Sequence, residues 1–299
     1  MTEIHSPSAE PTARRRRSPY PFWFYLPAAA IYGVLFLFPA LSSIWFSLTR
    51  WTLFESSFIG LDNFRAFFQE PFLVQGLVNT VIFGFLTSGL KTVLGLLLAV
   101  LLTSRIAARD FLRSLAFFPV LVSTIGVGIA FTAMMHPTHG VINEGLALLG
   151  VKGPGWLTDR RLALLSVAVV DVWKGVGLAT VIFIAGIVSI PKDYYEAARI
   201  DGARSLAQFT YVTLPLVRPA TVTVVTLSFI GGLRTFDLVW AMTKGGPGFA
   251  SDVVASVIYK QYQAGFYGLS TAGNVILFAL IAVLVLPLYA FLNREEDRS

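Results

Sequence analysis

The chain of 299 residues contains no cysteine, only three histidines and only 13% charged residues. Without cysteine there is neither a disulfide framework nor a thiolate metal centre. His5, His136 and His139 are too few and too scattered for an imidazole site, so no metal is expected. The phosphate-cradling pattern GxxxxGK[ST] is missing, as are HExxH and a Ser/His/Asp arrangement. ATP binding by that route and the common hydrolytic centres are therefore excluded. Apolar residues dominate instead: 55% are hydrophobic, and the mean hydropathy is +0.70. Soluble domains carry about 25% charged and about 45–50% apolar residues. This composition is that of an integral membrane protein, which the apolar runs below make all-α.

A membrane helix needs about 20 mostly apolar residues. Six runs of that scale are present: Phe22–Leu48, Leu77–Leu102, Leu115–Met135, Leu162–Ile190, Ala220–Met242 and Thr271–Leu292. None shows the alternation of an outer-membrane barrel strand. The net charge of +6 and pI near 9.6 would suggest nucleic acid in a soluble domain. Here the basic residues mark loops. Arg14–Arg17, Arg105, Arg109, Arg113, Lys192, Arg199, Arg204, Arg218, Arg294 and Arg298 fall on one side of six spans. Arg50, Arg65, Lys152, Arg160, Arg161, Lys244 and Lys260 fall on the other. The positive-inside rule then puts both termini in the cytoplasm, with the lipid bilayer rather than nucleic acid as partner. Residues 1–21 end in four arginines and look like a signal, but the next apolar run is too long and has no small-x-small cleavage site. A disordered basic cytoplasmic tail before a retained first helix is expected.

The loop between the fourth and fifth spans reads IPKDYYEAARIDGARSLAQFTYVTLPLVRPA. Pro191 suits the first position of a short helix, where its missing N–H is not needed. Tyr194, Ala197, Ala198 and Ile200 recur at helical spacing, and Gly202 supplies a left-handed stop. Ser205 and Gln208 fit a capping box that opens a second helix, with Phe209, Val212 and Leu216 on one face until Pro215 and Pro219. By its residues alone this is a two-helix hairpin that either rests on lipid or enters a partner's cleft, with Glu196 free for a basic group.

That loop resembles the EAA signature of permease subunits in binding-protein-dependent ABC importers. Glu196-Ala197-Ala198 is followed after three residues by Gly202 and after nine more by Val212-Thr213-Leu214-Pro215, with Val in place of the usual Ile. Phe58-Ile59-Gly60-Leu61-Asp62-Asn63-Phe64, Asn79-Thr80 and Met242-Thr243-Lys244-Gly245-Gly246-Pro247 resemble elements of the sugar-permease branch. The resemblance implies the type I ABC importer permease fold in the bacterial cytoplasmic membrane. Its parts would be the first transmembrane helix and extracytoplasmic loop over 22–76, a five-helix core over 77–293 with the coupling loop at 191–219, and a tail over 294–299. It implies an ATP-driven carbohydrate permease with no ATPase site or cofactor of its own. Expected partners are a second permease subunit, two copies of a cytoplasmic ATPase that binds ATP and Mg, and an extracytoplasmic solute-binding protein. Glu196 would meet a basic residue of the ATPase, Ala197 and Ala198 would fill its cleft, Gly202 would make the elbow, and Leu214 and Pro215 complete the motif. A gradient-driven secondary transporter is the alternative, needing a relay of carboxylates within the spans.

Ionisable residues inside spans are functional candidates. Asp171 with Lys174, and Arg234 with Asp237, stand three residues apart, so each pair either satisfies itself on one helix face or lines a pathway. Lys91 is alone in its span and calls for a partner on another helix. The resemblance makes Ser228, Gly232, Thr235 and Asp237 of the fifth span, and Gly175 of the fourth, sugar-contact candidates, with Phe229, Phe236 and Trp240 offering aromatic faces. Adjacent glycines equally serve close helix packing. The Arg and Asp content suggests a more polar or charged solute than a plain disaccharide.

Overall fold

A computed structural model of the chain describes residues 22–52, 54–104 and 106–293. The expected tails at 1–21 and 294–299 lie outside the described residues. The chain divides at Ser42 into two compact units. The described part of the first is helical, passes through a π-helical turn at Gly33–Leu37, and buries none of its described side chains. It belongs to an apolar stretch, α1 (Trp23–Ser47), long enough to cross a bilayer.

The second unit opens on a small antiparallel hairpin, β1 (Thr49–Trp51) and β2 (Ser56–Phe58), with Arg50 opposite Ser57. Then follow α2 (Asp62–Gln69), α3 (Pro71–Thr103), α4 (Arg109–Leu121), α5 (Thr124–Met134), α6 (Val141–Leu148) and α7 (Ala163–Val188). The remainder comprises α8 (Lys192–Ile200), α9 (Ser205–Leu216), α10 (Arg218–Leu233), α11 (Asp237–Met242), α12 (Val254–Gln263) and α13 (Tyr267–Asn293). The long helices α3 and α7 pack along each other, with α10 against both and α13 beside α10.

Among the described residues, four helices are long and apolar enough to cross a membrane, and up to six spans result if each of two bent pairs counts as one. The expected straight third span, Leu115–Met135, is instead the pair α4 and α5, bent by 98°. Val122 (ψ 142°) and Ser123 (ψ 130°) are extended, just after Pro119 has removed one helical N–H donor. The fifth span also differs. Ala220–Met242 is not continuous, because Arg234 to Phe236 leave the helix before α11 begins.

Small residues let the spans approach. A Cβ on Gly95 would lie 2.8 Å from the Ala179 Cβ, and one on Gly232 would lie 2.9 Å from the Gly84 Cα. Such approaches are how helices associate where no hydrophobic effect separates protein from lipid. Around them, Ala99, Ala179, Phe183, Ile190, Val217 and Val224 form one buried cluster, and Phe83, Val127, Val167, Val170, Leu238 and Val239 belong to another.

The two ends of the bundle are fastened differently. At one, the Asn79 side-chain amide donates to the Ala250 and Asp252 carbonyls (3.0 and 2.8 Å), and Thr80 accepts from the Val254 N–H (2.8 Å). The Asn63 amide donates to the Ser47 and Thr49 carbonyls, both at 2.8 Å, which docks α2 under the hairpin. These asparagines satisfy carbonyls that leave regular structure, as buried polar groups require. At the other end, Arg113 donates to the Leu102 carbonyl (2.9 Å) and Arg218 to the Leu292 carbonyl (3.0 Å), neutralising exposed helix C-termini.

Candidate functional site

The loop between α7 and α10 is built from the turn chemistry in its sequence. Pro191 stands just ahead of α8, as its N-cap rather than its first residue. Gly202 has φ +80°, and its N–H reaches the Arg199 carbonyl while the Ala203 N–H reaches the Ala198 carbonyl (3.0 and 2.8 Å). That pairing is a Schellman closure, which needs a left-handed residue at the position of Gly202. The expected capping box does not form. Arg204, not Ser205, is the N-cap of α9, and the Gln208 amide donates to the Ala203 carbonyl (2.9 Å), bracing the elbow from the other side.

Helix α9 then runs through a π-helical turn, Phe209–Thr213, and through Pro215 before bending by 67° into α10. Its Phe209 and Val212 are half-buried, whereas Leu216 is exposed. Glu196, Ala197, Leu214 and Pro215 are also exposed, and Ala198 is half-buried. Beside them stand bare apolar side chains: Tyr194 (54% exposed), Ile200 (87%) and Leu206 (75%). Sequence reasoning missed Tyr195. Its hydroxyl lies 3.0 Å from the Thr213 hydroxyl, and its ring packs on the Phe183 and Val217 cluster. Two adjacent tyrosines at 194 and 195 give no sign of which one turns inward, because that depends on where the bundle lies.

Between them, α3, α7 and α10 line a half-open cavity of about 190 Å³, with Leu178 and Leu227 at its exposed rim. Gly175 and Ser228 line it together with Lys91, Leu178, Ile182 and Gly231. Gly232, one residue further, turns towards Gly84 and Thr87 and serves helix contact. Thr235 is half-buried and Asp237 exposed, both past the end of α10, and Phe229 is buried beside Phe85 (4.7 Å). The five sugar-contact candidates are thus not one constellation; Gly175 and Ser228 alone among them meet at this cavity.

The paired charges also rearrange. Asp171 bonds not to Lys174 but to Lys91, Nζ to Oδ2 at 2.6 Å, joining α7 to α3. Lys174 instead reaches 3.5 Å to the Val120 carbonyl at the bend between α4 and α5. Arg234 and Asp237 straddle the break after α10, so they share no helix face, and no ion pair joins them among the described residues. Both Lys91 and Asp171 are visible in the sequence as intramembrane charges, Lys91 alone and Asp171 three residues from Lys174. Their pairing needs the rotation of two helices about their axes.

At the far end, the segment from Thr243 to Val253 folds on itself. Gly245 has φ +82° and abuts the Asp252 carboxylate so closely that a Cβ has no room. Fully buried Asp252 accepts from Lys260 (2.7 and 2.9 Å) and from Ser256 (2.7 Å). Burial pushes this carboxyl above its ordinary 3.8, with the hydrogen bonds and charge of Lys260 and Ser256 opposing. Gly246 and Pro247 line a cavity of about 390 Å³ with His136, Thr158 and Met242.

Residues 91–297, which hold this loop, the cavity and the folded segment, match the family of inner-membrane components of binding-protein-dependent transport systems. The chain belongs to that family. The permease is 34% identical over 259 residues to the trehalose/maltose transport system permease protein MalF of Thermococcus litoralis, covering 86% of this chain and 88% of that protein. It is 32% identical to the arabinooligosaccharides transport system permease protein AraP of Bacillus subtilis, with 90% and 87% covered. Identity is 30% to the sn-glycerol-3-phosphate transport system permease protein UgpA of Pectobacterium atrosepticum, with 94% and 97% covered. The permease also shares its fold with a chain of a bacterial ABC transporter involved in the import of the acidic polysaccharide alginate. There the TM-score is 0.78 at 23% identity, over 92% of this chain and 94% of the other. Membership of this family sets aside the gradient-driven carrier and makes the chain a transport component rather than an enzyme.

Proposed function

We propose that the chain is one of two membrane-spanning permease subunits of an ATP-driven importer of a di- or oligosaccharide or related solute. It crosses the bacterial cytoplasmic membrane six times with both termini inside, pairs with a second, different permease, and receives solute from an extracytoplasmic binding protein. Two copies of a cytoplasmic ATPase power it. The cavity beside Gly175 and Ser228 takes the solute, and α8 docks in a groove of the ATPase.

The observation that carries this reading is the construction of the 191–219 loop. Helix α8 presents Tyr194, Ala197 and Ile200 to a partner, and its other side is anchored through Tyr195 to Thr213. Gly202 and Gln208 close the elbow, so a push on α8 reaches α10, and with it the solute cavity, rather than being absorbed in a loose turn. Rigid joints of this kind convert closure of one body into rotation of another.

Replacement of Gly202 by proline tests it. Proline holds φ near −65° and has no N–H, whereas this position has φ +80° and donates to Arg199. Gly202→Pro should abolish uptake and ATPase co-purification while membrane insertion persists, and Glu196→Lys should weaken both. Full transport by Gly202→Pro would remove the coupling role.

A further inference from the structure

The cavity between α3, α7 and α10 carries a charge pattern that bears on what it admits. Lys91 is 7% exposed, and its stem crosses Gly175 so tightly that a Cβ there would lie 2.6 Å from Cε. One N–H of the ammonium is engaged by Asp171 at 2.6 Å, and among the described residues that is its one acceptor. An ammonium has three donors, so two remain for whatever fills the space. The Ser228 hydroxyl on the same wall makes no hydrogen bond among the described residues. Asp171 keeps a fifth of its side chain exposed and has one oxygen unclaimed.

The net charge of this pair is zero; Lys91 lines the space, whereas Asp171 holds it without lining it, and the other side chains of the wall are Leu178, Ala179, Ile182, Val224, Leu227 and Ser228. A neutral polyol matches this wall, accepting from Lys91 and donating to Ser228, without bringing an ion to membrane depth. An anionic solute would add an uncompensated charge to a pair that is already neutral, where water screens little. We infer that the Lys91–Asp171 pair makes the cavity selective for uncharged polyols, with Lys91 donating to solute oxygens and Asp171 cancelling its charge. This rests on the reading of the cavity as the solute site of a carbohydrate importer. It reverses the expectation of a charged solute, because Arg234 and Asp237 lie outside the cavity.

The test uses the assembled importer in lipid nanodiscs without its binding protein, which would otherwise filter solutes first. Probes are the neutral disaccharides maltose, trehalose and cellobiose, and the acidic digalacturonate. Wild type should bind at least one neutral probe, and digalacturonate about tenfold more weakly or worse. Asp171→Asn leaves Lys91 as a lone cation and should reverse that preference. Where that variant fails to assemble, the neutral pair Lys91→Gln with Asp171→Asn carries the test: still without net charge, it should keep the discrimination against digalacturonate but bind the neutral probe about tenfold more weakly, the ammonium donors being lost. Unchanged affinity for the neutral probe in the neutral pair, or a wild type that prefers digalacturonate, overturns the inference while leaving the importer a carbohydrate carrier. A wild type that binds no saccharide at all removes the carbohydrate reading and this inference together.

Discussion

At Gly202 a single torsion joins sequence to mechanism. An L-residue with a side chain pays about 1–2 kcal/mol in the left-handed region, so Gly202→Ala should leave the permease inserted but loosen the elbow. Reduced ATPase co-purification with unchanged expression is the expected result, and wild-type co-purification would show that the closure is dispensable. Asp252 makes a different prediction. Burial raises its pKa above 3.8 in the fold, so the folded chain holds that proton more readily than the unfolded chain. Its contribution to stability is present at low pH and is lost as pH rises through the raised value. Lys260→Met removes two opposing influences and raises the value further. The deficit in Tm of Lys260→Met relative to wild type should therefore be larger near pH 7 than near pH 5; equal deficits would detach Lys260 from the titration.

Among elements, the contact of α3 with α7 and α10 decides where the charges meet. Gly95 and Gly89 lie on the same helix, yet a Cβ on Gly95 strikes Ala179 at 2.8 Å whereas one on Gly89 meets nothing within 4 Å. Gly95→Leu should cost about 1–3 kcal/mol through overpacking and should part Lys91 from Asp171, lowering both Tm and uptake. Gly89→Leu should be neutral in the same assays. The broken third and fifth spans belong to this scale too. Hydropathy runs on through Val122-Ser123, and the break at Arg234-Thr235-Phe236 is marked in it only by the charges of Arg234 and Asp237. A hydropathy window measures partition into lipid and is blind to a chain reversal whose polar groups are met by other helices. Lys174 beside the Val120 carbonyl is such a meeting.

For the whole molecule, the lack of cysteine offers a direct test of topology, since any introduced thiol is unique. Ser57→Cys and Gly265→Cys should react with an impermeant maleimide in intact cells, and Asp193→Cys and Ser205→Cys only after permeabilisation. The opposite pattern would invert the orientation drawn from the basic residues. The apolar helices, the turn at Gly202 and the family resemblance were legible in the chain, because each depends on composition or on residues close in sequence. Tertiary structure alone decided that Lys91 takes Asp171, that Tyr195 rather than Tyr194 anchors the loop, and that Gly231 rather than Gly232 faces the cavity. Asn79 and Thr80 likewise stood out as a motif, but their task, holding Ala250, Asp252 and Val254, spans more than 170 residues. Local patterns set which helices form. Which atoms they bring together depends on the rotation of each helix about its own axis, and that is set only when all of them pack.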